Sequence, residues 1–294
     1  MPKFWFSIPL VCISTFALCD AAQAAIIYAP DFDSPTTFVG SATLSGQDGW
    51  DTNNYSDNGT PANPNDDLGL SDYIGVVPGY STTASDQWAL LGGISGYAPV
   101  VNTSYLFRPL DFSGASSASF DVKFAISSSQ TPFTERDTFG WTFRDNAGHQ
   151  LLRVGFVPDA VQTNLLDVRI YNAANTEFAG FGNYKIAYDA IYNLHVAISA
   201  LSNVSVSLAD ALGNLPVQVA NAQSAPGAVA SSISDIAATW TVADTTSNPN
   251  GERSNYGSNA LIFDNYSALP EPSTPVLFAL GTLAFASQMR RRKS

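Results

Sequence analysis

Phe120, Val122, Phe124 and Ile126 are interleaved with Ser119, Asp121, Lys123 and Ala125. Successive side chains of an extended strand point to opposite faces. This period of two therefore fits a sheet with one buried face and does not fit a helix. The pattern returns at Phe139, Trp141 and Phe143, at Leu152, Val154 and Phe156, and at Leu166, Val168 and Ile170. It returns again at Tyr192, Leu194, Val196 and Ile198, at Val204, Val206 and Leu208, and at Leu261 and Phe263. Asp145-Asn146-Ala147-Gly148 separates the Phe139 and Leu152 runs. A short Gly-containing connection between two alternating segments predicts a β-hairpin. Many short strands spaced by turns predict an all-β domain, and we read it as a two-sheet, jelly-roll-like sandwich. The segments Asp48 to Asp67 and Ala222 to Ser232 are rich in Gly, Asn or Pro and are expected as long surface loops.

The two ends read differently. Lys3, the apolar run Phe4 to Leu18 and the small-x-small site Ala22-Gln23-Ala24 have the layout of a secretory signal peptide. This predicts a signal helix over residues 1–24 and a new N-terminus at Ala25. Cys12 and Cys19 are the only cysteines. Both lie in this leader, so the exported chain would hold no thiol, no disulfide and no Cys-based site. Bulky Leu18 before Cys19 argues against lipid attachment there.

At the other end, Pro270-Glu271-Pro272-Ser273-Thr274 precedes an apolar stretch of 13 residues, Pro275 to Ser287, and then Arg290-Arg291-Arg292-Lys293. A full membrane span needs ~20 residues. The basic cluster favours the cytoplasmic side, which leaves the domain outside. This order of Pro-Glu-Pro, short apolar helix and terminal Arg cluster resembles the PEP-CTERM sorting signal. The resemblance implies that an exosortase, a membrane cysteine transpeptidase of Gram-negative bacteria that make exopolysaccharide, removes the tail near Pro270-Glu271-Pro272. It also implies that the domain reaches the cell surface or extracellular matrix, with membrane contact only through the tail. The chain then divides into leader 1–24, sandwich 25–268 and sorting tail 269–294.

Charge narrows the partners. The whole chain carries a net −12; setting aside 1–24 and 270–294 removes five cations and two anions. The remainder holds 8 cations against 23 anions, a net of −15. Such a domain repels nucleic acid and anionic membranes.

Asp31-Phe32-Asp33, Thr138-Phe139-Gly140-Trp141-Thr142-Phe143 and Leu261-Ile262-Phe263-Asp264-Asn265-Tyr266 resemble the concanavalin A-like lectin/glucanase sandwiches. The resemblance implies that the first and last strands lie near each other, and it makes carbohydrate contact an expectation. Glucanases of that family place two Glu around an Asp on one strand. Here the nearest match is Glu135-Arg136-Asp137, without the second Glu. Glu177 and Glu252 are the only other glutamates before the tail. No Gly-x-Ser-x-Gly elbow accompanies the two histidines, His149 and His195, which read as structural or surface residues.

Clustered loop Asp can ligate Ca²⁺, which prefers oxygen ligands. Asp48 to Gly59 lacks the closing Glu of an EF-hand. The related sandwiches imply a second option, which joins Asp31 or Asp33 to Asp264. The alternative is an acidic, turn-forming loop. Trp50, Tyr55, Tyr73, Tyr80 and Tyr97 sit among Asp and Asn and suit a sugar-binding surface. They suit equally well loop tips that fold back over the sandwich. We expect no catalytic residues. The reading is an exported, non-catalytic surface or matrix protein in contact with exopolysaccharide. The alternative is an extracellular glycoside hydrolase on the same scaffold.

Overall fold

A computed structural model describes residues 28–35, 37–40, 43–53, 72–93, 102–128, 137–178, 184–199, 202–210, 217–224, 228–243 and 259–271, with the backbone alone at 217–224 and 271. In chain order the strands are β1 (Asp51–Thr52), β2 (Asp72–Gly75), β3 (Trp88–Gly92), β4 (Thr103–Phe107), β5 (Ser117–Ile126), β6 (Thr138–Arg144) and β7 (Gln150–Pro158). They continue as β8 (Leu165–Asn172), β9 (Lys185–Ala187), β10 (Tyr192–Ile198), β11 (Asn203–Asp210), β12 (Val217–Ser224), β13 (Asp235–Thr241) and β14 (Ala260–Glu271). One seven-stranded sheet has the order β1-β4-β13-β6-β7-β8-β9. The other has the order β12-β11-β10-β5-β14-β3-β2. Every strand pairing is antiparallel, and the two sheets form the expected all-β sandwich.

Each alternating run of the sequence becomes a strand, with its apolar set buried between the sheets. Phe120, Val122, Phe124 and Ile126 meet Phe139, Trp141, Phe143, Leu152, Val154 and Phe156 in one core. Aromatic rings fill its centre. Phe120 and Trp141 lie 5.1 Å apart, Trp141 and Phe263 5.0 Å, and Phe120 and Tyr266 5.2 Å. Burying one such side chain contributes roughly 1.5–3 kcal/mol.

The β6–β7 hairpin forms as expected. The Asp145 carboxylate accepts the Ala147 and His149 N–H groups at 2.9 and 2.8 Å, and Gly148 takes φ 78° in the turn. A side chain at that φ would be strained, hence the glycine.

The first and last described segments are brought together too. Tyr28 and Ala268 exchange main-chain hydrogen bonds at 3.4 and 3.0 Å. The Phe32 ring lies 5.9 Å from that of Phe263.

Three features depart from the sequence reading. First, β14 carries a bulge between Asp264 and Ser267, with Asn265 at φ 52°. One extra residue flips the phase of alternation, so the core takes Leu261 and Phe263 before the bulge and Tyr266 and Ala268 after it. β14 then runs on through Pro270 and Glu271, which pair with Ala118 and Ser117. Second, β3 is buried on both faces, because Trp88 and Leu90 join Val77, Ala260 and Ile262 in a second apolar cluster outside the main core. Such a strand reads as a plain apolar run without alternation. Third, the two loop expectations need correction. Asp48 to Asp67 contains β1 and the core residue Trp50. Ala222 to Ser232 begins in β12 and ends in a 3-10 turn, with Ala228 and Ala230 packed into the core.

Candidate functional site

The sheet containing β6 to β9 presents its second face away from the core. The residues that alternate with the buried set there include Arg144, Arg153, Arg169 and Lys185, one on each successive strand. Four of the eight cations between residues 25 and 269 thus share one face. Three of the four are neutralised. Arg144 Nε donates to Asp235 Oδ1 at 2.7 Å, and its guanidinium lies 4.6 Å from the Tyr105 ring and 4.3 Å from the Phe107 ring. Burial raises the Asp235 carboxyl above the usual carboxylate range, and the Arg144 hydrogen bond and charge oppose that rise. Arg169 pairs with Asp167 at 3.2 Å and Glu177 at 3.4 Å. Lys185 pairs with Asp159 and, at 3.7 Å, with Asp167.

Arg153 differs. Its guanidinium carbon lies 4.2 Å from the centre of the Tyr171 ring, and one terminal nitrogen donates to Asn175 Oδ1 at 3.1 Å. Its Nε is buried and meets no acceptor among the described residues. The other five described cations each lie within reach of a carboxylate, and Arg153 does not. An unmatched cation is unexpected in a chain with 23 acids between residues 25 and 269. The local sequence explains the geometry. Arg153 stands opposite Tyr171 in the β7–β8 register, and Gly155 follows two residues later on the same face. A Cβ at Gly155 would lie 3.1 Å from Tyr171 Cε2, so the missing side chain lets the ring settle against the strand, with the guanidinium over it.

Beside this pair, Thr142 and Thr239 are linked hydroxyl to hydroxyl at 2.7 Å, and Thr239 also donates to the Ala237 carbonyl at 3.3 Å. Thr142 is therefore the donor within the pair. Both are buried, so they order the surface beneath Arg153 and are not open to a ligand.

The aromatics named from sequence take other roles. Trp50 is 1% exposed. Its indole N–H donates to the Tyr28 hydroxyl at 2.9 Å, and its ring packs 5.2 Å from Tyr266. It is core, and its ring is closed to a sugar. Tyr73 and Tyr80 pack on the Trp88 cluster, and the Tyr80 hydroxyl donates to Asp189 at 3.1 Å. Tyr73 lies within β2, not in a loop, and Tyr80 lies in the turn that follows it. Tyr55 and Tyr97 lie outside the described residues, as do Glu135, Glu252, Ala22, Ala24, Ala25, Pro272, Arg290, Arg291, Arg292 and both expected terminal helices. Among the described residues no helix is long and apolar enough to cross a membrane. Glu177 is described, and it pairs with Arg169.

The carboxylates proposed for Ca²⁺ are drawn into separate contacts. Asp31 accepts the Asp33 N–H at 3.2 Å, and Asp33 accepts the Gln87 N–H at 2.6 Å. Asp264 instead faces Lys123 Nζ at 3.6 Å. Burial raises its carboxyl, Lys123 opposes the rise, and Asp33 and Asp86 add to it. No group of three ligating side chains able to hold a metal occurs among the described residues.

Sequence reasoning passed over Arg153 and Tyr171. The available signal was the spacing of scarce cations at alternate positions through β6 to β9.

No family model matches the chain, and no curated protein matches it. The strand arrangement is similar to that of several solved structures. One is the CBM2 module of the Lactobacillus casei BL23 phage J-1 evolved Dit, at 13% identity and TM-score 0.44 over 85% of this chain and 97% of that one. Another is an alginate lyase from Pseudomonas aeruginosa, at 10% identity and TM-score 0.39 over 63% and 83%. A third is the Lotus tetragonolobus seed lectin, at 12% identity and TM-score 0.39 over 69% and 95%. At this level the likeness concerns architecture alone.

Proposed function

We propose that this is an exported surface or matrix domain that contacts exopolysaccharide through the outward face of β7 and β8, holding the chain without cleaving it. The observation that carries the reading is Arg153. Its guanidinium is oriented by Tyr171 and Asn175 and, unlike the other described cations, has no carboxylate within reach among the described residues. Closely spaced hydroxyl, ring and carboxylate oxygens of a polysaccharide supply acceptors for its terminal N–H groups. The planar fork of Arg donates to two at once, which a Lys ammonium cannot do with the same geometry. The rest of the face is closed by its own ion pairs, which limits contact to a narrow strip along β7 and β8.

The test is binding of the full chain to polysaccharides in an array and by titration. Arg153→Ala should weaken binding about 10-fold or more, and Arg153→Lys should recover only part of it. Unchanged binding in Arg153→Ala would remove this face from the proposal.

The sorting part of the reading rests on the order Pro-Glu-Pro, apolar stretch and Arg cluster. Intact mass of the protein from its own cells, with fractionation, tests it. A surface form that starts at Ala25 and lacks Arg290 to Arg292 supports it, and a membrane form that keeps them overturns it.

A further inference from the structure

The opposite sheet carries an unrelated arrangement. Asp121 on β5, His195 on β10 and Ser207 on β11 stand directly opposite one another in register, in that order, and all three face away from the core. His195 Nδ1 and Asp121 Oδ1 are 2.7 Å apart. The two nitrogens of an imidazole point away from each other, so this bond directs Nε2 away from β5. Ser207 stands opposite His195 on the far side, where cross-strand neighbours hold their Cβ atoms ~5 Å apart. Asp121, His195 and Ser207 line one depression of about 310 Å³ together with Lys123, Asn193 and Asn265. Asn265 is the left-handed residue of the β14 bulge, at φ 52°, and such bulges re-aim side chains beside sites.

Stability gives no reason for the Asp121–His195 pair. Its side chains are 49% and 46% exposed, and exposed ion pairs contribute ~1 kcal/mol at most. Chemistry gives one. An Asp that accepts from Nδ1 fixes the tautomer in which Nε2 takes a proton from a hydroxyl.

We propose that Ser207, His195 and Asp121 form a site that hydrolyses small acyl esters. Ser207 Oγ attacks the ester carbonyl as its proton passes to His195 Nε2. The alcohol then leaves with that proton, and Ser207 is left acylated. Water attacks the acyl group, gives its proton to His195, and releases the acid as Ser207 recovers its hydrogen. Sheet N–H groups are committed to their ladders here. The negative oxygen must therefore be met by a side chain, and Asn193, one row along the same face on the His195 strand, supplies its amide N–H, whereas Lys123 leans away onto Asp264 and Trp88. The site is independent of the Arg153 face and acts on ester bonds, not glycosidic ones.

The test uses the full chain with a fluorophosphonate probe and p-nitrophenyl acetate, followed by peptide mass spectrometry. The expected result is an adduct on Ser207. His195→Ala should slow labelling by about 100-fold or more, and Asp121→Asn should slow it as well. Ser205→Ala, on the same strand and face, should leave labelling unchanged. Ser207→Ala should abolish labelling and ester turnover with no change in melting temperature, because the residue faces away from the core. Absence of an adduct on Ser207 in the wild type, or ester turnover that survives in Ser207→Ala, overturns the proposal.

Discussion

The Tyr266 hydroxyl donates to the main-chain oxygen of Ile236 at 3.1 Å, and this bond joins β14 of one sheet to β13 of the other. Tyr266 is fully buried among Phe120, Trp141 and Trp50. Burial pushes its hydroxyl well above the usual tyrosine range, so it remains a donor. Tyr266→Phe keeps the ring and leaves the Ile236 carbonyl without that donor. The expected loss is about 1–2 kcal/mol, read by chemical denaturation.

Arg144 and Asp235 form a pair whose side chains are each 9% exposed. Removing one partner strands a buried charge. Arg144→Met alone should therefore cost about 3–5 kcal/mol, whereas Arg144→Met combined with Asp235→Leu should be close to neutral. A double variant as unstable as the single one would show that the Tyr105 and Phe107 stacking carries the energy instead.

Asp264 gives a pH prediction. Its carboxyl is raised by burial, so the folded protein holds this proton more tightly than the unfolded chain does. Its contribution to stability therefore falls as pH rises through the carboxylate range. Asp264→Asn removes that fall. Melting curves from about pH 3 to neutrality should show the variant gaining on the wild type as pH rises. A constant difference would mean that Lys123 fully offsets burial.

The end of β14 makes a truncation test. A chain stopped after Glu271 keeps the Pro270–Ala118 and Glu271–Ser117 pairings and should melt with the full chain. A chain stopped after Ser267 loses them together with the Tyr28–Ala268 bridge, and should be less stable by at least ~2 kcal/mol. Equal melting of the two would show that the strand end contributes nothing.

The strands most legible in the sequence were those with one face in the core and one in water. β5, β10 and β11 are of this kind, with Val122 buried between Asp121 and Lys123, Leu194 between Asn193 and His195, and Val206 between Ser205 and Ser207. β3 and β13 were silent because both of their faces are covered and alternation disappears. β14 was legible only to Phe263, since the bulge reverses the phase and Tyr266 falls on what the pattern assigns to the outside. Trp50 misled for a related reason. Its neighbours are Asp and Gly, which mark a loop, yet nothing local says that the loop turns inward onto Phe263 and Tyr266.

By itself the sequence determined the β class, the hairpin at Asp145 to Gly148 and the acidic balance of the domain, because these follow from local periodicity, turn chemistry and composition. Only the tertiary structure decided which polar residues meet. Arg153 and Tyr171 lie 18 positions apart, and Asp121 and His195 lie 74 apart. Their contacts depend on strand order and register. Those are set by how two whole sheets close over one core, and no short window of sequence contains them.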